Sequence, residues 1–354
     1  MSSSRLVFVT DRADAHVARF DRLFRTLSSS YELLTFAPQP SGKLVSESTG
    51  HTFESWSELS AYLESTADVV VSGPLDTVSA GLTGGKFRHV GISWATDLMV
   101  TAAESSAHLE QLSKTVRSLR LVVTDNYAIE NALVAMGVRE ETIVRIPWGA
   151  EAQEGTFSAQ ELAGVRSRFR IPATRRIILY PRSLEPHYDP EMFIQAFSIV
   201  AQRHSDALAI LVESGSLVPR VKDMIRAEGL DGQVQFVPLQ KPHEFVDLLH
   251  LADVVVVTPR TDGTSVTVME AMQAGVPVVS SLTSGSAEWV IQGITGWTFP
   301  VGDVAGLAAA LEQCLNCPSE EREPVLSNAR HLVTTRAGWP RSAAILTDAL
   351  GALL

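Results

Sequence analysis

The chain has 354 residues, 45% of them hydrophobic and 19% charged, with a formal net charge of −11. At roughly 150 residues per domain this length predicts about two domains, each large enough to bury a core without disulfide or metal staples. The composition excludes disordered, collagen-like and disulfide-rich secreted classes, and the negative balance argues against a nucleic-acid-binding surface. No apolar run approaches the roughly 18 residues of a membrane span. Residues 6–9 are too short for a signal-peptide core and read as a first strand. A cytoplasmic protein, whether free or peripheral at the inner membrane face, is expected.

Strand-like runs alternate with helical periods along the whole chain. The predicted strands of the first half are residues 6–10, 33–36, 69–72, 89–93, 121–124 and 142–146; those of the second are 177–180, 208–212, 234–237, 254–258 and 276–280. Several are unbroken Val/Ile/Leu runs, as expected of strands covered on both faces. Between them lie amphipathic stretches such as Phe20, Leu23, Phe24 and Leu27, or Met192, Ile194, Ala196, Phe197 and Val200. Such alternation predicts an α/β protein with parallel sheets and right-handed crossovers, in two doubly wound domains. The polar stretch 149–168 is the expected boundary, giving domains 1–168 and 169–330 and a helical segment 331–354 that returns to the first domain. The last helix carries Ala343, Ile345, Leu346 and Leu350 as its expected docking face.

Arg19, Arg22 and Arg25 recur every third residue and read as a solvated helix face, the alternative being a surface for an anionic acceptor or a membrane. Cys314 and Cys317 are half of a zinc site with no second half nearby; they follow a helical period and read as a helix end. No metal-ligand set is apparent.

The most informative stretch is residues 258–277, where a buried strand runs into Asp262 and Gly263 and then a helix begins near Ser265. Ligands of open α/β sheets bind at the carboxyl ends of strands. Here a carboxylate, a glycine and the free amides of a helix start arrive together, which suits a phosphate. Thr264 and Ser265 can cap the helix or bond the anion. Glu270, about one turn further in, can accept from two neighbouring hydroxyls, as a ribose offers. The bland alternative is a capped helix with one solvated glutamate.

The segment resembles the Glu-x7-Glu motif of retaining glycosyltransferases of the two-domain GT-B type (glycosyl transferases group 1, family-four-like), here as Asp262-x7-Glu270 followed by Ala-Met-Gln-Ala-Gly275-Val-Pro277. Tyr180-Pro-Arg182-Ser-Leu-Glu-Pro-His187 resembles the family's Gly-Arg-x4-Lys diphosphate loop. Gly285-Ser-Ala-Glu288, Gly293-Ile-Thr-Gly296 and Pro300-Val-Gly302-Asp303 follow in order, and residues 142–149 resemble the inter-domain junction. The likeness covers about residues 120–316 and is weak before residue 85.

The resemblance implies a GT-B fold of two Rossmann-like domains facing a cleft, and a donor that is a nucleotide-diphosphate sugar. Glu270 then binds the ribose, Gly263, Thr264 and Ser265 meet the donor, and Asp262 lies by its sugar. Arg182 binds the diphosphate through a guanidinium fork that fits phosphate oxygens, and His187 stands where the family has lysine. His89-Val-Gly-Ile-Ser93-Trp94-Ala-Thr-Asp97 resembles the strand-end loop near the donor sugar. Trp94 there packs on a sugar face and Asp97 orients an acceptor hydroxyl; the alternative is a core Trp94 and a helix-capping Asp97. The first loop, Thr10-Asp11-Arg12-Ala13-Asp14-Ala15-His16, lacks the family's Gly-Gly pair. The implied activity is retaining hexosyl transfer to a hydroxyl acceptor (a saccharide, a lipid-linked saccharide or a small molecule), with no cofactor, metal or nucleic acid. A nucleotide-sugar 2-epimerase of similar plan and a non-catalytic sugar-nucleotide-binding subunit are the alternatives. Base, sugar, acceptor, linkage and oligomeric state are not legible.

Overall fold

A computed structural model describes residues 2–11, 15–36, 43–46, 49–150, 157–239 and 241–354. It divides into two compact units, residues 1–148 with 339–354, and residues 149–338. Residues 12–14 of the first loop and 151–156 of the expected boundary lie outside the described residues.

The first unit runs β1 (Ser2–Thr10), α1 (Ala15–Leu27), β2 (Ser28–Thr35), the short pair β3 (Leu44–Val45) and β4 (Thr52–Phe53), α2 (Trp56–Thr66), β5 (Val69–Gly73), β6 (Arg88–Ile92), a single turn α3 (Ala102–Glu104), α4 (Ser106–Ser118), β7 (Leu121–Thr124), α5 (Tyr127–Ala135) and β8 (Ile143–Arg145). Its main sheet is wholly parallel, in the order β2-β1-β5-β6-β7-β8. That order winds outward in both directions from β1 and β5, the doubly wound topology. Val7, Val9 and Val70 pack with Leu59 and Leu63 of α2, while Val122 packs with Leu112 and Val116 of α4. An aromatic cluster centres on Phe20, whose ring lies 5.8 Å from Trp94, 5.3 Å from Trp148 and 5.7 Å from Trp339.

The second unit runs α6 (Ala159–Phe169), β9 (Arg176–Tyr180), α7 (Pro190–Ala201), β10 (Ala207–Val212), α8 (Val218–Ala227), β11 (Val234–Val237), α9 (Pro242–Leu251), β12 (Val254–Val257), α10 (Val266–Ala274), β13 (Val278–Ser281), β14 (Trp297–Phe299), α11 (Val304–Asn316) and α12 (Ser319–Arg336). The sheet is again parallel, in the order β11-β10-β9-β12-β13-β14. Its strands bury both faces by simple alternation. Ile178, Tyr180, Val254 and Val256 enter one core; Ile177, Leu179, Val255 and Val257 enter the other. Each fully buried side chain of this kind contributes about 1.5–3 kcal/mol through burial, which is why these runs are apolar throughout rather than alternating.

The second unit begins at residue 149, the first residue of the stretch expected as the boundary, so α6 belongs to the second unit and not to a 1–168 domain. Helix α6 looks polar in sequence, yet Val165 and the following Ile171 enter the second core, and Arg168 pairs with Asp247 of α9 at 2.5 Å. Helix α12 likewise packs on α10 through Ala329 and Val333. The final helix α13 (Trp339–Gly351) belongs to the first unit. Its buried stripe is Ser342, Leu346 and Leu350, and Ile345, expected on that stripe, is exposed. The hydroxyl of Ser342 donates to the Pro147 carbonyl at 2.8 Å, which turns the helix toward that contact.

His89 on β6 is 6% exposed, its Nε2 2.7 Å from the Ser72 hydroxyl. Burial lowers its pKa to about 4, against roughly 6.5 in an unfolded chain. The unfolded state therefore takes up a proton that the folded state refuses. Stability from this group is complete above about pH 6.5 and falls as pH drops toward about 4, by roughly 3 kcal/mol in all. Urea titrations at pH 7.5 and 5 should show this loss in the wild type, and His89→Gln should flatten that part of the profile.

Candidate functional site

The carboxyl ends of β9 and β12 carry the loops in which the chemistry concentrates. The loop after β9 holds Arg182 and His187 and is fixed from two sides. On one side, the Leu184 amide donates to the Ser214 carbonyl, the Leu217 amide donates to the Leu184 carbonyl, and Glu185 accepts from the amide and hydroxyl of Ser216 at 2.8 and 2.5 Å. On the other, the Tyr188 carbonyl accepts from the Tyr180 hydroxyl at 2.7 Å and from the Thr258 hydroxyl at 2.6 Å. The Arg260 amide also donates to the His187 carbonyl at 2.9 Å. Thr258 follows β12 directly, so these bonds tie the two loops together.

In that frame Arg182 meets the residues picked out from sequence. Its Nη2 lies 3.2 Å from Oδ2 of Asp262, and its Nη1 donates to the Ser265 hydroxyl at 3.1 Å. Arg182 and Asp262 are only 13% and 17% exposed. Burial pulls against the charge of Arg182, but Asp262, Tyr188 and Tyr180 outweigh it, and the guanidinium is held above its ordinary pKa. Burial likewise pushes the Asp262 carboxyl up, opposed by Arg182, by His187 and by the Gly263 amide. The result is a cation lodged among half-buried polar groups at the opening of α10.

Ser265 is the N-cap residue of α10, but its side chain makes no capping bond and accepts from Arg182 instead. Thr264 and Ser265 are buried, and Glu270 sits one turn into the helix, half-buried. Gly285 lets the next loop approach the Asp262 backbone. A Cβ there would stand 2.1 Å from the Gly263 carbonyl oxygen and 2.6 Å from that of Asp262. The helix ends on Gly275 at φ 72°, a left-handed cap that glycine adopts without strain.

The structure thus brings Arg182, Asp262 and Ser265 into direct contact, with His187 close enough to influence Asp262. Trp94 and Asp97 lie in the first unit; Trp94 takes the core role considered for it, while Asp97 sits inside the helical turn Asp97–Thr101 and not at its N-cap, which is Thr96. Trp94 is 7% exposed, its ring against Phe20 and Trp148. Asp97 is 1% exposed, and each of its oxygens accepts two bonds. Ser93 Oγ and the Leu98 amide donate to Oδ1, and the Leu75 and Trp94 amides donate to Oδ2. Ala95, at φ 66°, makes the turn that folds this carboxylate back onto the chain. Asp97 is thereby a buried brace of its own loop. Cys314 is buried in a core with its thiol pushed up to about 12, and Cys317 is half-buried at the same helix end. Sequence reasoning gave no role to Tyr180, which entered only as the first residue of the diphosphate-loop likeness, and missed Tyr188 and Thr258, because a tyrosine in a turn and a threonine after a strand carry no motif.

Two parallel doubly wound units, the second inserted in the first, are the architecture of the GT-B class of glycosyltransferase fold. Residues 165–332, within the second unit, match the family described as glycosyl transferases, group 1. Its fold matches the Anabaena Alr3699/HepE structure in complex with UDP-glucose, with a TM-score of 0.82 at 17% identity, over 99% of this chain and 100% of that one. Among curated proteins it is 27% identical to glycogen synthase of Mycobacterium tuberculosis over 71% of this chain and 57% of that protein. It is 28% identical to the amylovoran biosynthesis glycosyltransferase AmsK of Erwinia amylovora over 58% and 50%. The chain spans about half the length or less of the curated relatives it matches.

The four bonds to Asp97 make a testable claim. Asp97→Ala leaves buried amides without an acceptor and should lower unfolding stability by at least about 2 kcal/mol. A denaturation midpoint equal to that of the wild type would contradict the brace.

Proposed function

We propose that the protein transfers a hexosyl-type group from a nucleotide-diphosphate sugar to a hydroxyl acceptor, with retention at the anomeric carbon. The observation that carries this reading is the half-buried Arg182, held at the opening of α10 by Asp262 and Ser265, inside the segment that matches the family. The Anabaena structures in complex with UDP and UDP-glucose support a nucleotide-sugar donor.

The chemistry required is charge separation. As the bond from C1 to the phosphate oxygen breaks, positive charge grows on the sugar, as in other oxocarbenium-like transfers, and negative charge grows on the leaving diphosphate. In this proposal Arg182, His187 and the Gly263–Ser265 amides stabilise that diphosphate. A preorganised donor of this kind acts where water is displaced and needs no rearrangement as the bond breaks. Asp262 faces the sugar once the diphosphate shares Arg182, and Glu270 accepts from the ribose hydroxyls. The acceptor oxygen bonds C1 on the face the phosphate leaves, and its proton passes to the departing phosphate oxygen. That transfer balances the reaction without a separate general base, and no metal enters it.

A thermal-shift panel of UDP-, GDP-, ADP- and dTDP-sugars identifies the donor, since a ligand that prefers the folded state raises its melting temperature. No shift with any of them would refute the donor class. Conversion of a donor to a stereoisomer without acceptor would show an epimerase, and binding without turnover would show a non-catalytic subunit. With the donor in hand, Glu270→Ala should weaken nucleotide binding by about tenfold or more by calorimetry, as expected for a lost hydrogen bond to a charged group; unchanged affinity removes the ribose assignment. Arg182→Ala should slow transfer about 10²–10³-fold, by analogy with the loss of one oxyanion donor. A rate near wild type would take Arg182 out of the site.

A further inference from the structure

We propose that Tyr188 is a positioning residue whose ring fixes the plane of the Arg182 guanidinium and holds His187 beside it, so that the diphosphate meets a cation already in place. The proposal deepens the reading above and rests on Arg182 as a diphosphate ligand. Cζ of Arg182 lies 3.8 Å from the centroid of the Tyr188 ring. The His187 ring centroid is 3.9 Å from the same ring, tilted by 51°. Tyr188 is itself anchored where it leaves the loop, its carbonyl held by the hydroxyls of Tyr180 and Thr258. A guanidinium seated on an aromatic face is attracted by the ring quadrupole, the more strongly where water is kept away. Arg182 is therefore located by the ring on its face, by a hydrogen bond with the Tyr188 side chain, by Asp262 at one edge nitrogen and by Ser265 at the other.

The consequence is preorganisation. A free arginine side chain gives up considerable rotamer freedom when a ligand orders it, and a site that has already ordered it binds without that loss. Asp262 and Ser265 alone restrain two nitrogens and leave the plane able to tilt about the line joining them; the ring removes that tilt. Neither the family motif nor the position of Tyr188 in the sequence signals this part.

The test compares Tyr188→Leu, which keeps apolar volume without a quadrupole, with Tyr188→Phe, which keeps the ring. Each is titrated with whichever of UDP, GDP, ADP and dTDP the wild type binds, by calorimetry, and with the matching nucleoside, by NMR. Tyr188→Leu should weaken the nucleoside diphosphate about tenfold, equivalent to 1.4 kcal/mol, and leave the nucleoside unchanged. Tyr188→Phe should stay within about threefold of wild type for both. Equal losses of diphosphate and nucleoside in Tyr188→Leu would show general damage to the unit and overturn the proposal. So would a diphosphate affinity within twofold of wild type, or a Tyr188→Phe as weak as Tyr188→Leu. A wild type that binds none of the four diphosphates overturns the functional reading itself, and this inference with it.

Discussion

The contact between Arg182 and Asp262 is the constraint on which the second unit's chemistry depends. Both groups are mostly withdrawn from water, and either alone would be costly in that position; removing one partner of a buried pair commonly costs 3–5 kcal/mol. Much of the surrounding structure exists to hold them at contact. Thr258 and Tyr180 hold the first loop down, Glu185 clasps its other side, and Gly285 allows the following loop to lie against the Asp262 backbone. Ser265 gives up the usual duty of an N-cap to complete the arrangement. A cation set among so few water contacts keeps its charge because the carboxylate faces it, and that same pairing keeps the carboxylate from facing the interior alone.

The first unit uses buried polar groups for a different end. Its strand ends also carry a carboxylate, yet Asp97 spends all its accepting capacity on nearby amides and a hydroxyl. His89 is kept neutral by burial beside Ser72. Two parallel sheets of different strand order thus each place a carboxylate after an interior strand, β6 in one and β12 in the other, one braced into the backbone and one set against a cation. Hydrogen-bond saturation, rather than residue type, separates them.

Most of the fold was legible because its strands are apolar runs bounded by turns. All eleven predicted strands are present, and the topology follows from their alternation with helices. Strand β14 escaped because three residues give no period, and the β3–β4 pair because two residues give less still. Within the expected stretch 149–168 the division falls at its start because α6 packs on the second unit, although it buries only Val165 fully; Leu162, Phe169 and the Arg168–Asp247 pair add contacts that composition cannot show. In the site, Arg182, Asp262 and Ser265 were legible through their order along the chain. Trp94 and Asp97 were open to two readings, and the choice turned on the backbone of Ala95, whose left-handed φ no alanine advertises. Tyr188 was illegible for a simpler reason: its part depends on facing Arg182 across a turn.

The ends of the second unit are stitched to each other. The Ala150 amide donates to the Ala337 carbonyl at 3.1 Å, and Ala150 forms a parallel bridge with Gly338. A body whose first and last residues lie side by side is, topologically, an insertion: it can be excised and its host rejoined with a short splice, or exchanged for another of the same plan, without rerouting either chain. In this architecture the second unit is a cassette, and its ports are Gly149 and Gly338.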